Sequence, residues 1–227
     1  EPEDAAPIVE EAPPPEDAVV FLTRGGQLRR MSPRNYEKLD MPEKESDHPR
    51  YLFRTQTDHT LYFFTNLGNC YPLSVGALNE TAKPRERGGN LTSVLAGLEN
   101  GEECVSLLLI TPGSLAAMGD LLFFTRQGQV KRTNAADYDV RRSKFAAINL
   151  KEGDELISVK RVAPTDNVIM ASSAGKAICW EADEVRSMGR DTAGVRGMTV
   201  DGAKVKVLGM EIAREGADLL VITENGY

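Results

Sequence analysis

The chain has 227 residues, 41% of them hydrophobic and 27% charged, and a formal net charge of −7. Seven of its 34 acidic residues lie in residues 1–17, so the rest of the chain carries 27 acidic against 27 basic residues. No apolar run approaches the ~18 residues of a membrane span, which predicts a globular, cytoplasmic protein with no membrane partner. A generally basic protein is excluded, so any nucleic-acid function depends on where the cations lie.

The first segment, residues 1–17, reads EPEDAAPIVEEAPPPED and is predicted to be an acidic, proline-rich linker. The three cysteines of the chain are far apart and form no CxxC pair, and there are only two histidines. We therefore expect no metal site, no disulfide framework and no cofactor, as fits a reducing cytoplasm. Common catalytic motifs such as G-x-S-x-G and the P-loop are absent from the sequence, so no catalytic residue is predicted.

One unit recurs along residues 18–227, with starts near residues 18, 58, 120, 166 and 218. It consists of an acidic residue, a short apolar run, Thr or Ser, two further residues and a glycine. Each apolar run is short and unbroken, which is typical of a strand buried on both faces. The glycine supplies the positive φ of a tight hairpin. We therefore predict an all-β, propeller-like domain of about five repeated four-stranded blades, the last of them incomplete.

A second signature, L-x-x-G followed by two acidic residues, precedes later strands of the repeats. Its acid pairs are Glu102 with Glu103 and Asp154 with Glu155. A general acid and base could be read from such pairs, but neighbouring residues of a strand point to opposite faces. Because the pairs recur in register at turns, we interpret them as structural.

Basic residues cluster at equivalent places in repeats one and three, where Gly26-Gln-Leu-Arg-Arg30 matches Gly128-Gln-Val-Lys-Arg132. Windows 24–38 and 126–144 each carry a net charge of +4. A row of cations at equivalent points of several blades can follow a phosphate backbone, whereas the alternative is an ordinary solvated face. Besides Lys38, the cations of these windows are the candidate DNA contacts Arg24, Arg29, Arg30, Arg34, Arg126, Lys131, Arg132, Arg141, Arg142 and Lys144.

Two glycine-rich stretches add further candidates for phosphate binding. They are Lys83–Asn90, with Arg85 and Arg87, and Gly189–Gly197, with Arg190 and Arg196. Their backbone amides and guanidinium groups could hold a phosphate oxygen, although interblade turns are an equally good interpretation. The aromatic residues lie in or beside apolar strands and are assigned to the core, which favours duplex DNA over single strands as the partner.

Three motifs together carry a resemblance to a known family: the T-x-x-G-x-[LV]-[KR]-R hairpin, the L-x-x-G-D-E-L turn, and the run Arg186-Ser-Met-Gly-Arg-Asp-Thr-Ala-Gly-Val-Arg-Gly197. Over residues 18–227 the chain resembles the C-terminal domain of the A subunit of bacterial type IIA DNA topoisomerases, DNA gyrase and topoisomerase IV. The resemblance implies a β-pinwheel whose basic rim bends or wraps duplex DNA. Such a domain presents DNA to the cleavage core for an ATP-dependent change of topology.

The same resemblance implies that the chain is not an enzyme on its own, because the catalytic tyrosine, the metal-binding carboxylates and the ATPase of these isomerases lie elsewhere. Its partners in the intact enzyme would be the A-subunit dimer and the ATPase B subunit. One departure is that residues 37–48 are acidic where gyrase carries a Q-R-R-G-G-[KR]-G box. Gyrase and topoisomerase IV therefore both stay open. The alternative from another class is a protein-binding β-propeller without a nucleic-acid role.

Overall fold

The computed structural model describes residues 13–40, 43–83, 86–200, 204–223 and 225–226. Within them are fifteen strands, five 3₁₀ helices of three or four residues, and two α-helices, α1 (Pro33–Tyr36) and α2 (Leu91–Val94), each only four residues long. The strands are β1 (Asp17–Thr23), β2 (Gln27–Met31), β3 (Pro49–Gln56), β4 (Thr60–Thr65), β5 (Asn69–Ser74), β6 (Gly89–Asn90), β7 (Cys104–Ile110), β8 (Asp120–Thr125), β9 (Gln129–Asn134), β10 (Phe145–Ala146), β11 (Leu156–Val162), β12 (Asn167–Ser172), β13 (Ala177–Glu181), β14 (Val195–Arg196) and β15 (Val207–Ala213).

These strands form antiparallel sheets, as the repeat pattern predicts; the described residues contain three sheets of four strands and one of three, where about five blades were expected. Sheet 1 has the order β3-β1-β2-β6, sheet 2 the order β7-β4-β5-β10, sheet 3 the order β11-β8-β9-β14 and sheet 4 the order β15-β12-β13. The chain divides into two compact units. The first, Glu1–His59 with Ser74–Gly89, is built on sheet 1. The second, Thr60–Leu73 with Asn90–Tyr227, holds sheets 2, 3 and 4.

Each sheet begins with the hairpin that the T-x-x-G pattern predicts. In sheet 3, the Gly128 amide donates to the Thr125 carbonyl (3.0 Å), and the Gln129 amide donates to the Thr125 hydroxyl (3.0 Å). Gly128 has a φ of 83°, a value that L side chains rarely adopt. The other turn glycines, Gly26, Gly68 and Gly175, have φ values of 78°, 78° and 71°.

The fourth strand of a sheet comes from the following repeat, which the sequence pattern does not reveal. Strands β6, β10 and β14 have two residues each and lie at the edges of sheets 1, 2 and 3. Each belongs to a segment that follows the first hairpin of the next sheet. We call these segments donor loop 1 (residues 78–90), donor loop 2 (139–147) and donor loop 3 (186–197), because each donates a strand to the preceding sheet.

The core of the second unit is made by strands that bury alternate residues on both faces. Along β8, Leu121 and Phe123 join the cluster shared by sheets 2 and 3, whereas Leu122 and Phe124 join the cluster shared by sheets 3 and 4. All four side chains are at most 1% exposed. In the first of these clusters the Tyr138 ring stacks on the Phe123 ring with centroids 5.4 Å apart. The prediction of strands buried on both faces is confirmed.

The first unit has a smaller core around sheet 1. Val19, Phe21 and Met31 are buried together, and the partly buried Tyr36 and Leu39 pack against them. A cavity of about 910 Å³ opens beside this core and is lined by residues that include Phe21, Arg29, Tyr36 and Arg87. Acidic side chains from residues 37–47 face the same cavity.

The start of the fifth repeat lies in no strand of the described chain. Residues 218–223 are exposed, and Leu220 reaches 81% exposure. The run pairs with no strand of the described residues, although the Gly226 amide donates to the Thr223 carbonyl (2.9 Å) as at the other turns. No helix of the described residues is long and apolar enough to cross a membrane.

Candidate nucleic-acid interface

The hairpin turns fix where the predicted cations point. In sheets 1 and 3, the third and fourth residues after the turn glycine are Arg29 and Arg30, and Lys131 and Arg132. Register pairs Arg29 with Phe21 and Lys131 with Phe123 across the hairpin. The side chains of Arg29 and Lys131 therefore point to the same face as these aromatic rings, toward the interior.

Lys131 was expected in a row of surface cations, and this expectation is wrong because the residue is 0% exposed. Its ammonium donates to the Ala147 carbonyl (2.6 Å) and the Arg190 carbonyl (2.5 Å). The Nζ atom also lies 4.8 Å from the centroid of the Phe123 ring. A phosphate outside the protein cannot reach this group, so Lys131 does not belong to a contact surface.

Arg29 and Arg30 in sheet 1 are partly buried and engaged within their own unit. Arg29 lies over the Phe21 ring at 5.3 Å and donates to the Lys83 carbonyl (3.3 Å). Burial lowers the pKa of Arg29 from its ordinary value. Arg30 donates to the carbonyls of Val75 (3.4 Å) and Gly76 (3.3 Å). These guanidinium groups donate to backbone carbonyls of their own unit, as the Lys131 ammonium does in sheet 3.

Three further cations predicted for the interface form ion pairs beside the hairpins. Arg132 keeps its Nε 3.4 Å from an Asp120 carboxylate oxygen and is only 12% exposed at its side chain. At the turns, Arg24 pairs with Glu45 (2.6 Å) and Arg126 with Glu155 (2.7 Å). The two turn arginines remain solvent-accessible, but part of their charge is already balanced.

Donor loop 2 separates its three predicted cations into two kinds. Arg141 and Arg142 are exposed. Lys144 instead pairs with Glu99 (2.7 Å), donates to the Gly97 carbonyl (3.1 Å) and lies 5.4 Å from the Tyr71 ring. The hydrogen bond to Glu99 raises the pKa of Lys144. Lys144 thus anchors the loop while the two arginines extend from it.

Donor loop 3 shows the same division. Arg190 donates to the Ala146 carbonyl (2.5 Å), lies 3.1 Å from an Asp191 carboxylate oxygen and sits 5.4 Å from the Phe145 ring. Arg196, in β14, is exposed, and so is Arg186 at the start of the loop. Arg186 was not among the predicted contacts, although its place in the same segment as Arg196 could have signalled it.

The glycines of the donor loops serve close packing. A Cβ atom on Gly194, where φ is 84°, would lie 2.3 Å from the Val130 carbonyl oxygen, and one on Gly88 would lie 2.2 Å from the Leu28 oxygen. These two glycines hold equivalent places before β14 and β6. They let the donated strand approach the hairpin closely, which supports the interpretation of these stretches as turns between blades.

In the first unit, Arg34 and Arg87 are exposed, whereas Arg85 lies outside the described residues. Across the described chain, the exposed arginines with no ion pair include Arg34, Arg87, Arg141, Arg142, Arg186 and Arg196. Four of these belong to donor loops 2 and 3, and Arg87 belongs to donor loop 1. Of the cations predicted from the sequence, those that stay exposed and unpaired therefore lie mainly on the donor loops and not on the hairpin strands.

The acid pairs of the second signature have the structural role predicted for them. Glu102 is 5% exposed and accepts hydrogen bonds from Thr65 (2.5 Å), Tyr71 (2.7 Å) and Asn69 (2.8 Å). Asp154 accepts from the amides of Gln127 (2.9 Å) and Glu155 (2.8 Å). Each carboxylate fixes a hairpin turn of its own sheet. Within the described residues, no group of three or more His, Cys, Asp or Glu side chains is placed to hold a metal ion.

Comparison with known proteins supports the same family from sequence and from structure. Residues 119–163 and 166–214 match the family described as "DNA gyrase C-terminal domain, beta-propeller". Curated relatives include the DNA gyrase A subunit of Deinococcus deserti, 32% identical over 93% of this chain and 27% of the relative, and that of Helicobacter pylori, 33% identical over 93% of this chain and 26% of the relative. The chain thus spans about a quarter of the length of these relatives.

Two solved structures of C-terminal domains share the fold. The C-terminal domain of DNA topoisomerase IV matches with a TM-score of 0.80 and 26% identity, covering 88% of this chain and 62% of that one. The DNA gyrase A C-terminal domain matches with a TM-score of 0.64 and 25% identity, covering 93% of this chain and 70% of that one. With its hairpin repeat, its donated strands and these matches, the chain belongs to the family of β-pinwheel C-terminal domains of type IIA DNA topoisomerase A subunits.

Proposed function

We propose that this chain binds and bends duplex DNA through the exposed arginines of its donor loops. The observation that carries the proposal is the repeated position of these arginines: Arg87 lies two residues before β6, Arg142 lies three residues before β10, and Arg196 lies within β14. Each of these strands forms the edge of its sheet. Within the second unit, Arg142 and Arg196 thus lie beside the edges of two successive sheets, which suits a polyanion with a regular backbone.

The chemistry of this surface favours contacts with phosphates over contacts with bases. A guanidinium group can donate two parallel hydrogen bonds to one phosphate. The helices in the described residues are at most four residues long, too short to present a recognition helix in the major groove. We therefore expect binding that tolerates any sequence and weakens steeply with salt.

In the intact protein we propose that the chain serves as the non-catalytic, DNA-presenting domain of a type IIA topoisomerase A subunit in the bacterial cytoplasm. Its partners there would be the A-subunit dimer and the ATPase B subunit, with DNA topology changed at the expense of ATP elsewhere in the enzyme. The relatives named as gyrase A subunits and the neighbour named topoisomerase IV support this assignment. No observation favours the alternative of a protein-binding propeller.

The test is duplex binding by the 227-residue chain between about 50 and 200 mM salt. The variant Arg141→Glu/Arg142→Glu/Arg196→Glu should lose most of the affinity, because three phosphate-binding cations become anions. A matched control is Lys151→Glu/Lys204→Glu/Arg214→Glu, which makes the same change of charge at exposed positions outside the donor loops. Equal loss in both variants would show a diffuse charge effect, and no binding by the unaltered chain would refute the proposed function.

The acidic stretch at residues 37–48 leads to a second expectation, for the intact enzyme. Glu37, Glu43 and Asp47 line the cavity of the first unit where gyrase carries its basic box, while Met41 and Pro42 of the stretch lie outside the described residues. Acidic groups there repel phosphates, and bending a 20–30 bp site by 40–90° costs roughly 1–6 kcal/mol. We expect the intact enzyme to relax or decatenate DNA better than it supercoils it. Strong ATP-driven negative supercoiling of a relaxed plasmid would contradict this expectation.

A further inference from the structure

Lys131 is a buried cation that the proposed DNA interface does not use. The residue is 0% exposed, yet it lies in β9 at the centre of the second unit, between Phe123 on one side and the donor loops on the other. Burying a lysine costs folding free energy unless its nitrogen finds hydrogen-bond partners. The partners of Lys131 are two carbonyl oxygens, those of Ala147 and Arg190.

Each of these carbonyls belongs to a different donor loop. Ala147 ends donor loop 2, just after β10, and Arg190 lies in donor loop 3, before β14. The hydrogen bonds are 2.6 Å and 2.5 Å long, so a single Nζ atom holds the two loops at a fixed separation. The Tyr138 hydroxyl donates to the same Ala147 carbonyl (2.9 Å), which further fixes this end of donor loop 2.

One other contact joins the same loops, and a second runs from Asn149, just after donor loop 2, to donor loop 3. The Arg190 guanidinium donates to the Ala146 carbonyl (2.5 Å), and the Asn149 side-chain amide donates to the Asp191 carbonyl (2.8 Å). Lys131 differs from both because it reaches the loops from the central hairpin of sheet 3. It therefore fixes the loops to the rigid sheet as well as to each other.

The charge around Lys131 explains why this link does not require an ammonium group. Burial, and to a smaller extent the nearby Arg190, lower the pKa of Lys131 to about 7 against the opposing effects of Asp191 and Asp137. Both forms of the side chain have enough N–H groups for two carbonyls, since the neutral amine has two and the ammonium three. The link between the loops therefore persists across neutral pH.

We propose that Lys131 is a positioning residue of the DNA interface, which sets donor loop 2 relative to donor loop 3 without touching DNA. The exposed arginines extend from these loops, Arg141 and Arg142 on one and Arg186 and Arg196 on the other. If the loops are held in place before binding, less entropy is lost when the arginines meet the phosphates. The inference rests on the proposed function of these arginines.

The test compares Lys131→Met with Arg196→Met in the 227-residue chain, since both variants replace one cation by the same apolar side chain. Duplex affinity is measured over a range of salt concentrations. The slope of log affinity against log salt counts phosphate contacts, at about 0.9 for each. For Arg196→Met we expect the slope to fall by that amount. For Lys131→Met we expect affinity to fall about three- to tenfold with the slope unchanged.

Amide hydrogen exchange measures separately whether Lys131 holds the two donor loops in place. In Lys131→Met, residues 139–147 and 186–197 should exchange faster, while the hairpin of β12 and β13 keeps its protection. Should this variant not fold, Arg190→Met breaks the guanidinium bond to the Ala146 carbonyl and should show the same two signatures. A slope reduced by about 0.9 in Lys131→Met, or unchanged exchange in both loops, would overturn the positioning role. Failure of the unaltered chain to bind DNA would instead refute the proposed function.

Discussion

Sheets 2 and 3 each fix a donor loop with a lysine and an aromatic ring, but the lysine lies on the loop in one sheet and on the strand in the other. In sheet 2 the lysine lies on the donor loop: Lys144 reaches back to the Tyr71 ring and to Glu99. In sheet 3 the lysine lies on the strand: Lys131 reaches out to carbonyls of the loops. Both arrangements place a cation against an aromatic ring where the strand meets the loop.

The two lysines differ in what balances their charge. Carboxylates surround Lys144, with Glu99 at 2.7 Å and Glu102 at 3.8 Å, and its pKa is raised. Neutral carbonyls hold Lys131, and burial lowers its pKa to about 7. A donor loop can thus be anchored by a lysine whose charge is balanced by carboxylates or by one held by neutral carbonyls. Stability should therefore respond differently to pH and salt in the two sheets.

The largest expected effect comes from the buried carboxylate of sheet 2. Glu102→Ala leaves the Tyr71, Thr65 and Asn69 donors without their acceptor, and we expect the free energy of unfolding to fall by about 3–5 kcal/mol. Urea denaturation measures the change. Glu103→Ala is the matched control, since Glu103 is exposed, and it should cost about 0.5 kcal/mol or less. Similar costs for both variants would contradict the central role of Glu102.

The pH dependence of the same carboxylate follows from its hydrogen bonds. Burial raises the pKa of Glu102, but the hydrogen bonds from Thr65, the Glu99 amide, Asn69 and Tyr71 outweigh it and hold the pKa below its ordinary value. A lowered carboxyl pKa gives stability that is present above the unfolded-state pKa and is lost as pH falls through the folded-state pKa. In Glu102→Gln, acid unfolding should therefore show a shallower dependence on pH below about 4.5 than in the unaltered chain.

A second comparison, between the turns of sheets 1 and 3, uses two glycines of nearly equal φ. A Cβ on Gly128 would lie 2.2 Å from the Met198 carbonyl oxygen, whereas one on Gly26 would meet nothing within 4 Å. Gly26→Ala should therefore cost about 1 kcal/mol for the backbone conformation alone, and Gly128→Ala about 2–4 kcal/mol. Thermal unfolding of the two variants gives the difference. Equal costs would show that the backbone at Met198, just after donor loop 3, can move away from the new side chain.

The effect of Lys131 titration on stability is smaller and confined to a pH window. Because the folded-state pKa lies below that of an unfolded lysine, the unfolded chain binds more protons between about pH 7 and 10, and stability rises with pH there. Between about pH 7 and 8 the rise should be at most about 1.4 kcal/mol, and Lys131→Met should remove it. Chemical denaturation at both pH values checks this. Identical slopes in the variant and the unaltered chain would show that Lys131 titrates normally.

The smallest expected effect concerns the ion pair of donor loop 2. Glu99 is 60% exposed at its side chain, so its pair with Lys144 is screened by solvent. Glu99→Gln should lower stability by about 0.5 kcal/mol or less at low salt, and the difference should vanish near 1 M salt. A loss that persists at high salt would mean that the hydrogen bond, and not the charge, anchors Lys144.

Sequence periodicity was sufficient to identify the hairpins. The T-x-x-G pattern predicted turns in which Thr125 and its equivalents accept a backbone hydrogen bond, because a positive-φ glycine after a hydroxyl residue closes a tight turn. The unbroken apolar run of β8 likewise predicted burial on both faces. These features are local, so the residues of a single repeat contain the information for them.

Local pattern could not separate surface cations from buried ones. Arg29 and Lys131 occupy the same position of matching hairpins, and both were predicted to face a phosphate backbone. Whether such a side chain is exposed depends on the donor loop that covers it, and that loop lies more than 50 residues further along the chain in each case. Charge counted in a sequence window contains no such information.

The amino-acid sequence by itself determined the β-hairpin repeat, the all-β class and the family, because glycine turns, alternating burial and short motifs act over a few neighbouring residues. Only the tertiary structure decided that each of the first three sheets takes its fourth strand from the next repeat. The donated strands bury Lys131 in the interior and leave the arginines of the donor loops on the surface. The physical reason is that a two-residue strand has almost no pattern of its own and forms only where a neighbouring hairpin offers an open edge.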